Sequence, residues 1–386
     1  TGMMWVGAIS FCDNGRVFVA RKNAGDTSFQ TPVMAEATSG ADKCWMATGR
    51  GPANPNARRV YIAYNEGLLI STDLGNTWSG PNVIASGLGF LPRVGPNGEL
   101  YILYWDYTGA GDAIRMRRSF DGGAFLSAPI LVATRMDVWG VDGTRFPGSF
   151  RVAPLAHLAV DPNDGTLYVV YFDTTNIVDG NRNVDLYFTK STNQGSTWST
   201  PVIINSDGDP PGDQFFPWIE VDAASRLHMV FFDTRSVVQD DSTTNPVGWV
   251  EAYYSYSDDG GTTWNEQVLT PAAFNTQYDG FGGAFIGDYL AMGVGKRRAY
   301  PVYCSTQGNV TDNIYTHVIV RGTRGDVNCD GQIDLFDIDP FVLSLTDESQ
   351  YWSAYPDCDP LLADINGDWV VNLFDIDPFV VLLTGP

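Results

Sequence analysis

The sequence predicts a mostly β fold, a six-bladed β-propeller followed by a small C-terminal α-helical domain. A turn motif recurs along the first 264 residues, short strands alternate with turns between its copies, and a duplicated acidic loop follows residue 325. The composition agrees, because 386 residues with 41 glycines and 13% aromatic residues suit a large, turn-rich β protein.

The recurring motif reads Ser-x-Asp-x-Gly-x-Thr-Trp. It is complete at residues 71–78 and 257–264, and residues 191–198 match it except that asparagine replaces the aspartate. Shorter copies lie at residues 23–27 and 119–123, and the anchoring glycines of the five copies are 48 to 72 residues apart. Such spacing is typical of repeat architectures.

The residue types of the motif predict a stapled hairpin turn. The serine hydroxyl and the aspartate carboxylate can accept hydrogen bonds from the turn's own N–H groups, glycine supplies a positive φ, and tryptophan is an apolar anchor. The motif resembles the Asp-box, or BNR repeat, of sialidase-type β-propellers. In that family the box joins the third and fourth strands of a blade, away from the catalytic face, so the resemblance implies a structural role.

The clearest repeat covers residues 154–205 and contains four strand-like segments with turn residues between them. The first segment ends at Val160, and the others are residues 166–173, 185–190 and 199–204. Four antiparallel strands joined in this way form one propeller blade.

The same order is visible in other repeats. The first hairpin recurs at residues 91–106 and 218–233, and a compact repeat surrounds residues 58–64. We count six repeats in total, which predicts six blades.

The two terminal repeats are expected to be incomplete. Residues 4–10 align with a second strand and residues 16–20 with a third, so the first repeat lacks a first strand. The last repeat offers residues 288–292, 299–303 and 313–320, without a box or a fourth strand. The partial blades could close the ring together, a strand from a neighbouring chain could close it, or closure could be local.

Two twelve-residue loops, at residues 326–337 and 364–375, carry oxygen-bearing side chains at positions 1, 3, 5, 9 and 12. A hard cation takes about six to eight oxygens, and this spacing with the carbonyl of position 7 supplies them. We therefore predict two calcium ions. The predicted ligands are Asp326, Asn328, Asp330, Gln332 through its carbonyl, Asp334 and Asp337, and then Asp364, Asn366, Asp368, Val370 through its carbonyl, Asn372 and Asp375.

Each loop continues into the same eight-residue segment, at residues 335–342 and 373–380, which predicts one helix after each loop. The duplicated loop-and-helix unit resembles a type I dockerin domain. In that family calcium drives folding and the paired helices dock onto a cohesin domain. The resemblance implies a protein partner, or copies of the chain itself, for residues 326–386.

Two features depart from the dockerin pattern. Trp369 stands where position 6 of the second loop usually has glycine, which predicts strain or weaker metal affinity. Positions 10 and 11, often small hydroxyl residues in cellulosomal dockerins, are Leu335-Phe336 and Leu373-Phe374. An apolar pair at both copies fits a different partner or packing within the same protein.

We predict three segments: a propeller over residues 1–321, a linker over residues 322–325 and a dockerin-like domain over residues 326–386. The net charge of −22 argues against a nucleic-acid partner and suits calcium or a cationic partner. The sequence contains no 18-residue apolar run, so we expect no membrane span. The chain begins at Thr1 without leader features, so we expect a mature, secreted protein, extracellular or at the cell surface.

Five cysteines are few for a disulfide scaffold of this size. Cys12 could pair with Cys44, and Cys329 with Cys358, which would leave Cys304 unpaired. The sequence leaves the connectivity open.

Catalysis by the sialidase family uses three arginines around the substrate carboxylate, a tyrosine nucleophile backed by a glutamate, and an aspartate acid/base. The family's usual arginine marker before the first box is absent, and residues 91–94 imitate it poorly in a later repeat. The first-strand positions that could line the channel are Arg93, His157, Glu220, Asp222, Asp288 and Tyr289. Because polar residues are routine at a channel mouth, we interpret the propeller as non-catalytic.

Three hypotheses of function follow. The leading one is a secreted, calcium-binding scaffold whose dockerin-like module mediates assembly with other proteins or with itself. The alternative is a sialidase-like glycoside hydrolase recruited to a complex by its dockerin, which three arginines facing a Tyr-Glu pair in the channel would favour. The third is a glycan-binding lectin.

Overall fold

The computed structural model describes residues 2–10, 15–36, 40–108, 112–136, 151–178, 181–206, 212–236, 248–280, 285–295, 297–308 and 311–385. The chain divides into two compact units. The first comprises residues 1–292 and 302–315, and the second comprises residues 293–301 and 316–386.

Six antiparallel sheets follow one another along the chain, so the predicted six-bladed propeller is confirmed. In the second to fifth sheets, four consecutive strands lie side by side in chain order, which is the up-and-down blade of a propeller. The strands are β1 (Met4–Ser10), β2 (Arg16–Lys22), β3 (Val33–Glu36), β4 (Trp45–Gly51), β5 (Asn54–Tyr64), β6 (Gly67–Ser71), β7 (Ser79–Asn82), β8 (Leu88–Val94), β9 (Leu100–Asp106), β10 (Ala113–Ser119), β11 (Ile130–Thr134), β12 (His157–Val160), β13 (Leu167–Val178), β14 (Asn181–Ser191), β15 (Val202–Ile203), β16 (Gln214–Val221), β17 (Leu227–Asp233), β18 (Trp249–Ser257), β19 (Asn265–Val268), β20 (Phe274–Asn275), β21 (Ala291–Val294), β22 (Arg298–Ser305), β23 (Asn313–Thr316) and β24 (Ile319–Val320).

The fourth sheet, β12 to β15, is the repeat that the sequence predicts most clearly. Its strands pair in the predicted order, with His157 opposite Val170 and Leu167 opposite Ser191. β13 and β14 extend further than predicted, because their pairing continues beyond a register shift after Thr174. Every residue of β13 from Leu167 to Thr174 is buried, as expected of a strand covered on both faces by neighbouring blades.

The first sheet has the incomplete form that the sequence predicts, whereas the last sheet has four strands because the predicted strand at residues 313–320 is divided into two. Among the described residues, the first sheet has three strands, β1-β2-β3. In the last sheet β21, β22 and β23 lie in order, and β24 pairs with β22.

The predicted hydrogen bonds staple the box turns. The Ser71 hydroxyl accepts a hydrogen bond from the Gly75 N–H at 2.7 Å and donates one to the Asp73 carboxylate at 2.8 Å. That carboxylate also accepts from the Thr77 N–H at 2.9 Å. The same serine-to-glycine bond joins Ser119 to Gly123, Ser191 to Gly195 and Ser257 to Gly261. The shortened third copy, which lacks Thr-Trp, therefore keeps its turn.

A basic side chain from the preceding sheet binds each of these four turns, a contact that sequence analysis missed. The acceptor is always the carbonyl of the residue after the aspartate or asparagine, whose positive φ places it in the left-handed region. The pairs are Arg21 with Leu74, Arg59 with Gly122, Arg118 with Gln194 and Lys190 with Gly260. Two of the donors, Arg118 and Lys190, directly precede the serine of their own box. Each turn is thus tied to the blade before it.

In the second unit one helix follows each acidic loop, as predicted. These are α1 (Ile338–Thr346) and α3 (Ile376–Thr384), and a short helix that the sequence did not predict, α2 (Glu348–Ala354), lies between them. Phe341 of α1 and Phe379 of α3 stack with ring centroids 4.0 Å apart, and both side chains are buried. The core of this unit is therefore built around the two equivalent phenylalanines of the repeat.

The structure places the cysteines as follows. Cys329 and Cys358 form the disulfide that the sequence suggested. Cys44 and Cys304 are free thiols, and Cys12 lies outside the described residues. None of the helices in the described part of the chain is both long and apolar enough to span a membrane.

Candidate functional site

The first strands of neighbouring sheets contact one another, β4 with β8, β8 with β12, and β12 with β16. First strands surround the central axis of a propeller, so their polar side chains define the centre of the ring. Polar and aromatic side chains from the first strands, and from the segments that lead into them, meet there, and we call them the central site. Its members are Lys43, Trp45, Arg93, Arg151, His157, Trp218, Glu220, Asp288 and Tyr289.

Glu220 and Arg93 form an ion pair in this site. The Arg93 guanidinium donates to the Glu220 carboxylate at 2.6 Å, and the Trp218 indole N–H donates to the same oxygen at 3.1 Å. Burial raises the pKa of the Glu220 carboxyl, although the Arg93 charge opposes the shift. Arg93 also lies over the Trp218 ring, 5.7 Å from its centroid. Glu220 is thus a held carboxyl group with a raised pKa, suited to proton transfer.

His157 belongs to the aromatic part of the site rather than to its chemistry. Its ring lies 4.3 Å from that of Trp218 and 5.7 Å from that of Trp45. Burial and the Arg93 charge lower the pKa of His157 to about 3, so the ring is neutral near pH 7. The aromatic group ends at Tyr289, which packs 5.3 Å from Trp45 and is 42% exposed.

The Asp288 carboxylate binds two basic side chains. The Arg151 guanidinium binds it through two hydrogen bonds of 2.7 and 2.5 Å, and the Lys43 ammonium binds it at 2.6 Å. Arg151 stacks on Phe285 with its guanidinium 4.2 Å from the ring centroid, and its side chain is 39% exposed. A second carboxyl group, with a partly exposed arginine beside it, therefore belongs to the same site.

Five of the six channel positions named from the sequence belong to this site, and one does not. Asp222 instead accepts hydrogen bonds from the N–H groups of Ala224 and Arg226, at 2.8 and 3.0 Å, and lies 3.3 Å from the His228 ring. It staples the turn between β16 and β17, so its expected place in the channel is wrong.

Sequence analysis missed Lys43, Trp45, Arg151 and Trp218. Lys43 and Arg151 lie in the segments that enter the first strands β4 and β12, a position that the repeat alignment could have pointed out. Lys43 has a φ of 50°, an unusual conformation for a long side chain and one that concentrates at functional sites. Among the described residues, two arginines and one lysine therefore accompany the Tyr289 and Glu220 side chains.

The two acidic loops of the second unit close on their own backbone. In the first loop Asp326 accepts from the N–H groups of Asp330 and Gly331, each at 3.1 Å. Asp337, fully buried, accepts from the Asp334 N–H at 3.0 Å. Each carboxylate at the ends of the loop is therefore turned inward.

The second loop repeats these bonds. Asp364 accepts from the N–H groups of Asp368 and Trp369, each at 3.1 Å, and Asp375 accepts from the Asn372 N–H at 2.9 Å. The other predicted ligands lie on the same two loops, namely Asn328, Gln332, Asn366 and Val370.

Trp369, which stands where glycine is usual, has a left-handed backbone conformation, and the first loop has left-handed residues at the same positions. Positions 4 and 6 have positive φ in both loops, with Cys329 at 58° and Gly331 at 91° in the first. The second loop exchanges the residue types, with Gly367 at 81° and Trp369 at 69°. Each loop therefore has two left-handed positions and glycine at only one of them. In the second loop the other position is Trp369, where a backbone strain of about 1–2 kcal/mol is expected.

The donor chemistry of the loops fits a hard cation such as calcium. Carboxylate, amide and carbonyl oxygens are the ligands that such ions take. Burial and the charges of Asp337 and Asp330 raise the pKa of Asp326, a repulsion that a cation would relieve. At the second loop a protein cation already lies beside Asp364, since an Arg324 nitrogen is 3.3 Å from its carboxylate. Within the described residues, no three acidic, histidine or cysteine side chains are close enough together to hold a metal ion.

The Leu-Phe pairs at positions 10 and 11 of the loops point into solvent. Their exposed fractions are 74% for Leu335, 77% for Phe336, 76% for Leu373 and 78% for Phe374. Large apolar side chains exposed at equivalent places in both repeats indicate an interaction surface.

No protein-family model matches the sequence, and no curated protein is significantly similar to it. Solved structures with a similar fold include a polysaccharide lyase PL25, ulvan lyase, bound to -[GlcA(1-4)Rha3S]-, with 13% identity, coverage of 83% of this chain and 81% of the lyase, and a TM-score of 0.49. A Hadza microbial sialidase, Hz136, has 12% identity, coverage of 82% and 63%, and a TM-score of 0.43. The GH43 endo-arabinanase from Bacillus licheniformis has 12% identity, coverage of 69% and 92%, and a TM-score of 0.37. Likeness at this level concerns the fold alone.

Proposed function

We propose that the ring is a glycoside-hydrolase-type domain whose central site binds a glycan and cleaves a glycosidic bond. The observation that carries the proposal is the partly buried Glu220 carboxyl, which has a raised pKa and lies at the centre of the ring beside Arg93 and Trp218. Hydrolysis of glycosides generally uses one carboxyl group to protonate the leaving oxygen and a second, ionised one on the other side. Glu220 and Asp288 supply that pair of groups.

The surrounding side chains have matching roles in this proposal. Tyr289, 42% exposed, offers a ring face for a sugar, and its phenol can donate a hydrogen bond. Trp45 and Trp218 are buried and support the Tyr289 ring from behind. Arg151 and Lys43 hold the Asp288 carboxylate in place and can attract an acidic sugar. The criterion of three arginines opposite a Tyr-Glu pair is not met, because the site has two arginines and one lysine. The glycosidase alternative is preferred here to a ring without catalysis because Glu220 and Asp288 are two carboxyl groups in one site.

The test is turnover of a panel of neutral and acidic polysaccharides, measured as the release of reducing ends. Glu220→Gln should lower the rate on any substrate by 100-fold or more, since it removes the proton-transferring group. Glu348→Gln, at an exposed carboxyl group of the second unit, should leave the rate unchanged.

The alternatives give other results in the same experiment. Binding of a glycan without turnover would replace hydrolysis by a lectin function. If the chain neither binds nor cleaves any polysaccharide in the panel, the ring has the role of a scaffold instead.

A second function concerns residues 326–386, and the exposed Leu-Phe pairs favour it. We propose that this dockerin-like module binds two calcium ions through Asp326, Asp330, Asp334 and Asp337 and through their counterparts in the second loop, and docks on a protein partner. The module contains thirteen acidic residues and no lysine, arginine or histidine, so a partner with an apolar centre and a basic rim fits it. The Cys329–Cys358 disulfide supports a secreted, oxidising location.

A further inference from the structure

Arg324, in the segment that leads into the first acidic loop, contacts the second loop. One of its guanidinium nitrogens lies 3.3 Å from the Asp364 carboxylate, at position 1 of that loop. The same guanidinium lies 5.8 Å from the centroid of the Trp369 ring, at position 6. These contacts place a positive charge against the first ligand position of the second loop.

The sequence of the second loop accommodates this arginine. A Cβ atom at Gly367 would lie 2.6 Å from an Arg324 nitrogen, closer than real Cβ contacts, so only glycine lets the guanidinium approach in this way. The equivalent position of the first loop is Cys329, which is tied into the disulfide. In the second loop, glycine at position 4 leaves room for the Arg324 guanidinium, and tryptophan at position 6 provides a ring beside it.

We propose that Arg324 competes with the metal ion for the second loop, so that this loop binds calcium more weakly than the first and releases Arg324 when it is loaded. The inference rests on the proposed calcium binding. The Asp364 carboxylate already accepts from the N–H groups of Gly367, Asp368 and Trp369, and Arg324 provides its positive charge. An ion that takes Asp364 as a ligand must displace or repel that charge.

The competition also links calcium to the linker. Arg324 lies between Gly322 and Gly325, both with positive φ, in the predicted linker of residues 322–325. Because coupling between two events is reciprocal, an ion that displaces Arg324 frees this segment from the second loop. Residues 326–386 contain no basic side chain of their own, so a cationic side chain beside either loop has to come from outside this range, as Arg324 does.

The probe is Tb³⁺, which replaces calcium at oxygen sites and emits when a nearby tryptophan is excited. The experiment uses the full chain. The Tb³⁺ emission that disappears in the Trp369→Phe variant is the signal from the second loop. Arg324→Gln should raise the Tb³⁺ affinity of that part by about threefold to fivefold, the range of a half-exposed ion pair. Arg324→Lys, which keeps the charge, should remain close to the wild type.

Arg297→Gln is the matched control, because it removes the same charge from the same unit, where Arg297 pairs with the exposed Asp357. It should leave the affinity unchanged, and high salt should shrink the gain of Arg324→Gln. An equal or lower affinity in Arg324→Gln would overturn the competition, even if calorimetry finds two calcium ions. Absence of any bound Tb³⁺ or calcium in the wild type would instead sink the proposed calcium binding itself.

Discussion

In each box turn one aspartate or asparagine side chain accepts the hydrogen bonds that hold the turn. Comparing the aspartate and asparagine copies shows what the negative charge contributes to stability. Asp73 has its pKa lowered to about 2, first by the Thr77 hydroxyl and then by the Thr77 N–H. In the copy at residues 191–198, Asn193 accepts from the Thr197 N–H at 3.0 Å and donates to the Thr197 hydroxyl at 2.8 Å. An amide therefore preserves the geometry without the charge.

Asp73→Asn should consequently lower the melting temperature slightly at neutral pH and not at all near pH 2. The folded pKa of Asp73 lies below its ordinary value of about 3.9, so its charged form stabilises the fold above that value and the contribution disappears as the pH falls towards 2. Asp73→Ala should be less stable at every pH. Thermal unfolding between pH 2 and 7 measures both, and a pH-independent gap between Asp73→Asn and the wild type would argue against the charge.

Among the secondary-structure elements, the sequence predicted those whose formation depends on residues close together in the chain. The strands of the fourth sheet, the two loops and the helices after them follow from alternation, turn residues and spacing. The short helix Glu348–Ala354 was missed because its signal is weak, an Asp347 cap followed by only two turns.

Contacts between distant segments could not be predicted from the sequence. Lys43 and Arg151 reach Asp288 across 245 and 137 residues, and the pairing depends on how six blades are arranged. Arg93 and Glu220 were singled out only as separate channel positions. Their ion pair, and the diversion of Asp222 into a turn, needed the three-dimensional structure.

The stacked phenylalanines join helices α1 and α3 of the second unit. Phe341→Ala should destabilise this unit by about 3–5 kcal/mol, because it removes a buried ring and leaves a cavity. For a unit of this size the melting transition should fall by more than about 12 °C or disappear.

Phe336→Ala is the matched control. It removes the same side chain five residues away, where the ring is 77% exposed, and should leave the transition in place. Differential scanning calorimetry in calcium compares the two variants. Equal effects would mean that the Phe341 and Phe379 pair does not hold the unit together.

For the whole molecule, charge decides between a different partner and self-assembly. The chain carries a net charge of −22, and thirteen acidic residues without a basic one lie in residues 326–386. Two calcium ions neutralise only part of that charge, so copies of the module should repel one another.

Light scattering of the purified chain should therefore show a monomer in calcium and in excess chelator alike. Particles that form in calcium and dissolve on chelation would contradict a separate basic partner and support assembly of the chain with itself. Phe336→Ala and Phe374→Ala together should then abolish the particles, since they remove the exposed apolar surface.

The most direct test of the proposed glycosidase is the fate of solvent oxygen. The chain is incubated in H₂¹⁸O with the polysaccharide that it degrades in the panel, and the products are weighed by mass spectrometry. Hydrolysis through Glu220 and Asp288 predicts one ¹⁸O atom at each new reducing end, none at the new non-reducing end, and no products from Glu220→Gln. Unlabelled products with an unsaturated end would show elimination instead, and no products from any polysaccharide would contradict a catalytic ring.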